Sequence, residues 1–407
     1  MAGLTNKEPI PRSVAFVLAG SLMLSLAGFY LLPSGKVNSF PTYLVAISGV
    51  LLLIVCPASL RSTLRGRATV LAVLLLCYLV GVTYIAEGVE GALRSARYAL
   101  LITLFLTGVS ACTVEFRMFV GVLVRALVLA ALVSAAYFLF HANFTSIEAP
   151  WGRLRIAGIA ASTYGFAAVL AFGLLLSEFD TTNTKREAAR VGRRRWGRLG
   201  WGCAATVLAW VALDLGESYI AFGLLTACLV VSIAFAWTQR LTPRATFWLP
   251  IIALLMVAQI AVFNAVMDTG RSLIWQPVVE AVFADGSWIG AGLQSDLAPV
   301  VDCADQLRGF TDCKVDHAHS IYVSTLQHGG ILGLALLILV LVVAAADALE
   351  LPPSESRTVT LVALAYGMTV LMFDGQSIVR KIDFVWLLFW FPVALAGGLH
   401  YGRERGG

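Results

Sequence analysis

Apolar segments about twenty residues long recur along almost the whole chain, and no other feature restricts its fold as much. Inside a bilayer a backbone has no water to bond to, so each such run must satisfy its own peptide groups by forming a helix. Runs of this kind lie at roughly 13–32, 43–59, 68–86, 91–112, 116–140, 157–177, 200–216, 219–237, 247–267, 329–349, 358–373 and 384–401. The composition agrees: 59% of residues are hydrophobic, only 13% are charged, and the mean hydropathy is +0.84. A soluble domain carries more charge than this. The expectation is an all-α polytopic membrane protein of about 12 transmembrane helices. The first run lacks a clear small-residue cleavage site after it and reads as a first span rather than a signal peptide.

An even number of spans puts both termini on one side. If that side is the cytoplasm, the inside segments hold 18 of the lysines and arginines and the outside segments hold 10, with Arg125 left over in mid-span. Positive charge is retained on the cytoplasmic side of a membrane, so the asymmetry selects this orientation. The inner segment 178–199, with Arg193-Arg194-Arg195, reads as a topology determinant beside anionic lipid. Nothing in the chain suggests nucleic acid as a partner.

Three outer segments carry the polar chemistry. The first, about 141–156, contains Arg153 and Arg155. The second runs from about 268 to 328 and contains Arg271, Trp275, Gly290-Ala291-Gly292, Cys303, Cys313, His317, His319 and Tyr322. The third, about 374–383, contains Asp374, Arg380, Lys381 and Asp383. This divides the chain into residues 1–267 with nine helices, a loop at 268–328, and residues 329–407 with three helices. A loop as long as the second is usually functional or disordered. The apolar residues between Leu273 and Ile289 fit a short amphipathic helix on the membrane surface. Gly290-Ala291-Gly292 reads as a tight turn where backbone could approach a ligand.

Within that loop, Asp316-His317-Ala318-His319-Ser320-Ile321-Tyr322 leads directly into a long apolar helix. His317 and His319 would share one face of a strand and diverge on a helix. A neutral imidazole can take a proton from a sugar hydroxyl near pH 7. Arg271, Arg153, Arg155, Arg380 and Lys381 sit at the depth of a lipid-linked pyrophosphate, and arginine grips phosphate through two parallel hydrogen bonds. Each of them could also be a residue reaching to the interface. Cys303 and Cys313 face an oxidising compartment in this orientation, where a disulfide would contribute about 2–4 kcal/mol. A zinc site using these cysteines and the two histidines matches no common ligand spacing. No metal or other cofactor is therefore expected.

The order Arg271, Trp275, Gly290-Ala291-Gly292, then His319-Ser320, nine residues and Gly330-Ile331-Leu332-Gly333 resembles the O-antigen ligase/polymerase superfamily, in its ligase branch. The resemblance implies a GT-C-type membrane glycosyltransferase with a large periplasmic loop before the third-last helix. It implies a multi-pass protein of the bacterial inner membrane with both termini cytoplasmic. The implied reaction moves glycan from undecaprenyl pyrophosphate to a lipid A-core oligosaccharide without a metal, with polymerisation of the glycan on its carrier as the alternative. A transporter or flippase is the more distant one, because the spans hold little charge near their centres apart from Arg125. By position, His319 resembles the family's essential histidine and Arg271 its loop arginine. Arg155-Ile156-Ala157-Gly158 resembles its Arg-x-x-Gly element, and Asp374 falls near an important late acid. The family's second arginine near the eighth span is replaced here by the run Glu217-Ser218-Tyr219.

Overall fold

A computed structural model describes residues 12–31, 44, 47–51, 54, 66–115, 118–144, 161–180, 191–215, 218–238, 271–284, 288–295 and 318–406. Among these residues the fold is all-helical, with no strand. The elements are α1 (Arg12–Leu31), α2 (Arg67–Glu115), α3 (Phe119–Phe144), α4 (Ala161–Asp180), α5 (Val191–Leu215), α6 (Ser218–Thr238), α7 (Arg271–Ala284), α8 (Ile321–Glu350) and α9 (Glu355–Phe373). A π-helical turn, Trp386–Trp390, then leads into α10 (Phe391–Gly406). Four helices among the described residues are long and apolar enough to cross a bilayer: Arg67–Glu115, Phe119–Tyr137, Ile321–Glu350 and Glu355–Phe373. These helices mark the chain as a membrane protein. The expected runs at 43–59 and 247–267 fall mostly or wholly outside the described residues.

The 49-residue α2 is a hairpin of two helical arms. Its backbone leaves helical geometry at Gly88 (φ 74°, ψ −162°). A straight helix of that length would separate its ends by about 70 Å. Instead both ends meet α10: a Cβ at Gly397 would touch Thr69, and one at Gly398 would touch Thr113. The Ser110 hydroxyl also donates to the Ala394 carbonyl at 3.1 Å. The runs at 68–86 and 91–112 are thus two arms joined by a turn.

One end of the bundle is an ionic cluster. Asp347, fully buried near the end of α8, accepts from Arg67 Nε at 2.9 Å. Arg67 also donates to Glu350 Oε1 at 3.0 Å, and His400 Nε2 lies 2.8 Å from Glu350 Oε2. Arg403 adds a bond to the Glu350 carbonyl. Arg125 is at this end too, near the start of α3 rather than in mid-span. It grips Glu355 with two bonds of 2.6 and 2.8 Å, donates to the Gly121 carbonyl, and stands over the Trp201 ring. A charge that the apolar run left unexplained therefore joins α3 to the first turn of α9.

The opposite end gathers the Gly88 turn, the start of α8 and the end of α9. Helix α8 begins at Ile321, capped by Ser320. The apolar run had placed its start near 329. It breaks at Gly330 (φ 63°, ψ −165°), giving a short first half and a long second half. The bend is sharp, because a Cβ at Gly333 would lie 3.4 Å from the Thr325 carbonyl. The peptide groups released at the break bond to the segment 288–293. Ala291 N–H donates to the Gln327 carbonyl at 2.9 Å, Gly292 N–H donates to the His328 carbonyl at 3.0 Å, and Leu332 N–H donates to the Trp288 carbonyl at 3.3 Å. The Tyr78 hydroxyl donates to the Gly329 carbonyl at 2.8 Å. Buried peptide groups must be paired, and here a crossing loop supplies what the helix gives up.

That crossing tolerates no side chain. Gly290 (φ 84°) packs so closely on Gly330 that a Cβ there would lie 2.3 Å from the Gly330 nitrogen. Gly290→Ala is expected to lower stability by at least about 2 kcal/mol, from left-handed strain plus the clash. Gly20→Ala, where a Cβ meets nothing within 4 Å, should be neutral in the same thermal melt in detergent. Equal melting of the two variants would contradict this packing.

Candidate active site

The site is built where α8 starts, and its histidine has an unusual backbone. His319 (φ 51°) is the one non-glycine residue with positive φ among the described residues. Histidine enters the left-handed region more readily than most side chains, but still at a cost. Its neighbours hold it there. Ala318 is fully buried, and its carbonyl accepts from the Trp275 indole N–H at 2.8 Å. Ser320 is buried, its hydroxyl receives Val323 N–H, and its carbonyl receives Ser324 N–H at 2.9 Å. His319 itself is half-buried between these two fixed peptides. It is therefore in neither a strand nor a helix, the two conformations from which its relation to His317 was read.

Trp275 comes from α7, the helix that Arg271 begins. Helix α7 ends at Ala284, before Trp288 and Ile289. It is not a free surface helix, because Val278 is buried and Trp275 stacks on the buried Phe373 at 6.0 Å. Phe373 also meets Phe222 of α6 edge-on at 5.4 Å. The next residue, Asp374, ends α9. Its Oδ1 accepts from Gly375 N–H at 2.8 Å, and its Oδ2 accepts from the Tyr219 hydroxyl at 3.1 Å. Tyr219 belongs to the run that departs from the family pattern. Gly375 (φ 112°) lies against Ile321, two residues after His319. The structure thus brings His319, Trp275, Tyr219 and Asp374 to one end of the bundle.

The segment 374–383 is pinned by two tryptophans that sequence reasoning passed over. Trp390 Nε1 donates to the Ile378 carbonyl at 2.9 Å, and Trp386 Nε1 donates to the Arg380 carbonyl at 3.3 Å. Both rings lie in the buried π-helical turn. The only hint was their spacing, four residues apart beside a polar segment. Arg380 is engaged within its own loop, bonding Gln376 and facing Asp383 Oδ2 at 2.8 Å. Lys381 is exposed. Tyr322 is tied to α9, its hydroxyl donating to the Met368 carbonyl at 2.9 Å. Gly290-Ala291-Gly292, read as a tight turn, packs on the backbone of α8 and, at Gly292, on Ala86 and Glu87 of α2, and Gln294 N–H donates to Glu87 Oε1 at 2.8 Å. His317, Cys303, Cys313, Arg153 and Arg155 lie outside the described residues, and Arg271 is described only as the first residue of α7. No protein-family model matches the chain, and no curated protein matches it.

Burial pushes the Asp383 carboxyl up to about 6 from its ordinary 3.8, with the Arg380 guanidinium opposing and Asp374 adding to the rise. The raised value means that the folded protein favours neutral Asp383. Its contribution to stability is complete below about pH 4 and is lost as pH rises through about 6. Wild type should therefore lose on the order of 1–3 kcal/mol relative to Asp383→Asn between pH 4 and pH 7. Thermal melts across that range check it, and a relative gain by wild type would show that the Arg380 pair outweighs burial.

Proposed function

We propose that the chain is an O-antigen ligase: a metal-independent, inverting glycosyltransferase of the bacterial inner membrane. It would have about 12 spans in a GT-C-type architecture, both termini in the cytoplasm, and the His319 end of the bundle facing the periplasm. The donor is glycan on undecaprenyl pyrophosphate, and the acceptor is a hydroxyl of a lipid A-core oligosaccharide. The observation that carries the reading is His319, held in the left-handed region at the polar end of an apolar bundle. Backbone strain retained beside a cluster of polar groups is a mark of functional sites. The separation of basic residues supports the orientation. The segments read as inner hold 18 of the lysines and arginines against 10 in the segments read as outer, and positive charge is retained on the cytoplasmic side.

The chemistry follows from the groups. The acceptor oxygen attacks the anomeric carbon as the bond from that carbon to the pyrophosphate oxygen breaks on the opposite face. The acceptor proton passes to His319, a general base worth about 10²–10⁴-fold. The diphosphate leaves with the bonding electrons, and its charge is held by Arg271 with Arg153, Arg155 and Lys381. Arg380 would join them only by releasing Asp383. Asp374, bonded by Tyr219, supports the floor of the site.

The lipopolysaccharide of a deletion strain tests the reading. Loss of every long chain, with polymer accumulating on the lipid carrier, is the expected profile, restored by the wild-type gene and not by His319→Ala. Cores bearing a single repeat would assign a polymerase instead. An unchanged profile would remove glycan transfer to lipid A-core from consideration.

A further inference from the structure

We propose that Trp275 is a positioning residue for His319, acting through the Ala318 carbonyl; this rests on reading His319 as the base. The torsion φ of His319 is set by the planes of the peptides on either side of it. The Ala318–His319 peptide is oriented by its carbonyl, which the Trp275 indole N–H holds at 2.8 Å. The following side is fixed by Ser320, which caps α8 through its hydroxyl and its carbonyl. Between two fixed planes, His319 takes φ 51°. Without the indole bond the first plane is held less firmly, against a backbone conformation that costs energy to keep.

The tryptophan is itself immobilised. Its ring stacks on Phe373 at 6.0 Å with 27° between planes, and Phe373 is fully buried. Phe373 directly precedes Asp374, whose Oδ2 takes the Tyr219 hydroxyl. One rigid stack therefore sets the histidine on one side and supports the acid on the other. Phenylalanine can still stack on Phe373 but lacks the pyrrole half of the indole, and with it the N–H that orients the Ala318 carbonyl.

Trp275→Phe should lower kcat for transfer about 10- to 100-fold, as expected for a misplaced catalytic group, with KM for the lipid-linked donor changing less than about twofold. In a His319→Ala background the same change should have no further effect on residual turnover. A merely structural role would lower both backgrounds alike. Independently of activity, carbethoxylation of His319 by diethyl pyrocarbonate, followed by fragment mass spectrometry, should change rate in Trp275→Phe. If that variant does not fold, benzothienylalanine at position 275 keeps the shape and removes only the N–H. Unchanged kcat and unchanged labelling in either variant would overturn the proposal. Changed labelling with His319→Ala fully active would leave the positioning role standing and remove the catalytic reading instead.

Discussion

The crossing of residues 288–293 over the break in α8 is the constraint on which this end of the molecule depends. A helix interrupted inside an apolar bundle exposes carbonyls and amides that lipid cannot satisfy, each at a cost of several kcal/mol. The carbonyls of Gln327, His328 and Gly329 and the amide of Leu332 all find partners in the crossing segment or in Tyr78. Both segments at the crossing carry glycine because the backbones nearly touch. The same segment continues to Thr83 and Glu87 of α2, through Leu293 N–H at 3.1 Å and Gln294 N–H at 2.8 Å. The loop is thereby tied to the hairpin turn as well as to the histidine helix.

What the break achieves is placement. A continuous α8 would carry its first residues along the axis of its long half. The sharp turn instead lays the short half against α9, where Ile321 packs on Gly375 and Tyr322 bonds Met368. His319 then precedes a capped helix start, beside the end of α9 and the floor supplied by Tyr219 and Asp374. At the other end, Asp347 and Glu350 of α8 bind Arg67, and Glu355 of α9 binds Arg125. Both helices are thus anchored at their polar ends.

The apolar runs were legible because lipid enforces them: α1, the two arms of α2, α3, α4 and α9 coincide closely with runs in the sequence. The start of α8 was not, since Ser324, Thr325, Gln327 and His328 look like loop residues and yet are buried in the bundle. Periodicity cannot register a polar half-helix that other elements bury. The glycine pairs announced breaks without announcing that they meet each other. Arg125 looked misplaced because Glu355 lies 230 residues away in sequence. The histidine motif was visible as a pattern, but the indole bond that fixes its backbone belongs to tertiary structure alone.

The most direct test of the account is transfer by the purified protein in proteoliposomes, with labelled glycan on undecaprenyl pyrophosphate as donor and lipid A-core as acceptor. Wild-type protein is expected to form labelled, glycosylated lipid A-core. His319→Ala is expected to bind donor and to form product about 10²- to 10⁴-fold more slowly. Product formation by His319→Ala at the wild-type rate would contradict the placement of the base at the start of α8. Movement of labelled donor across the bilayer without any product would contradict glycosyl transfer itself.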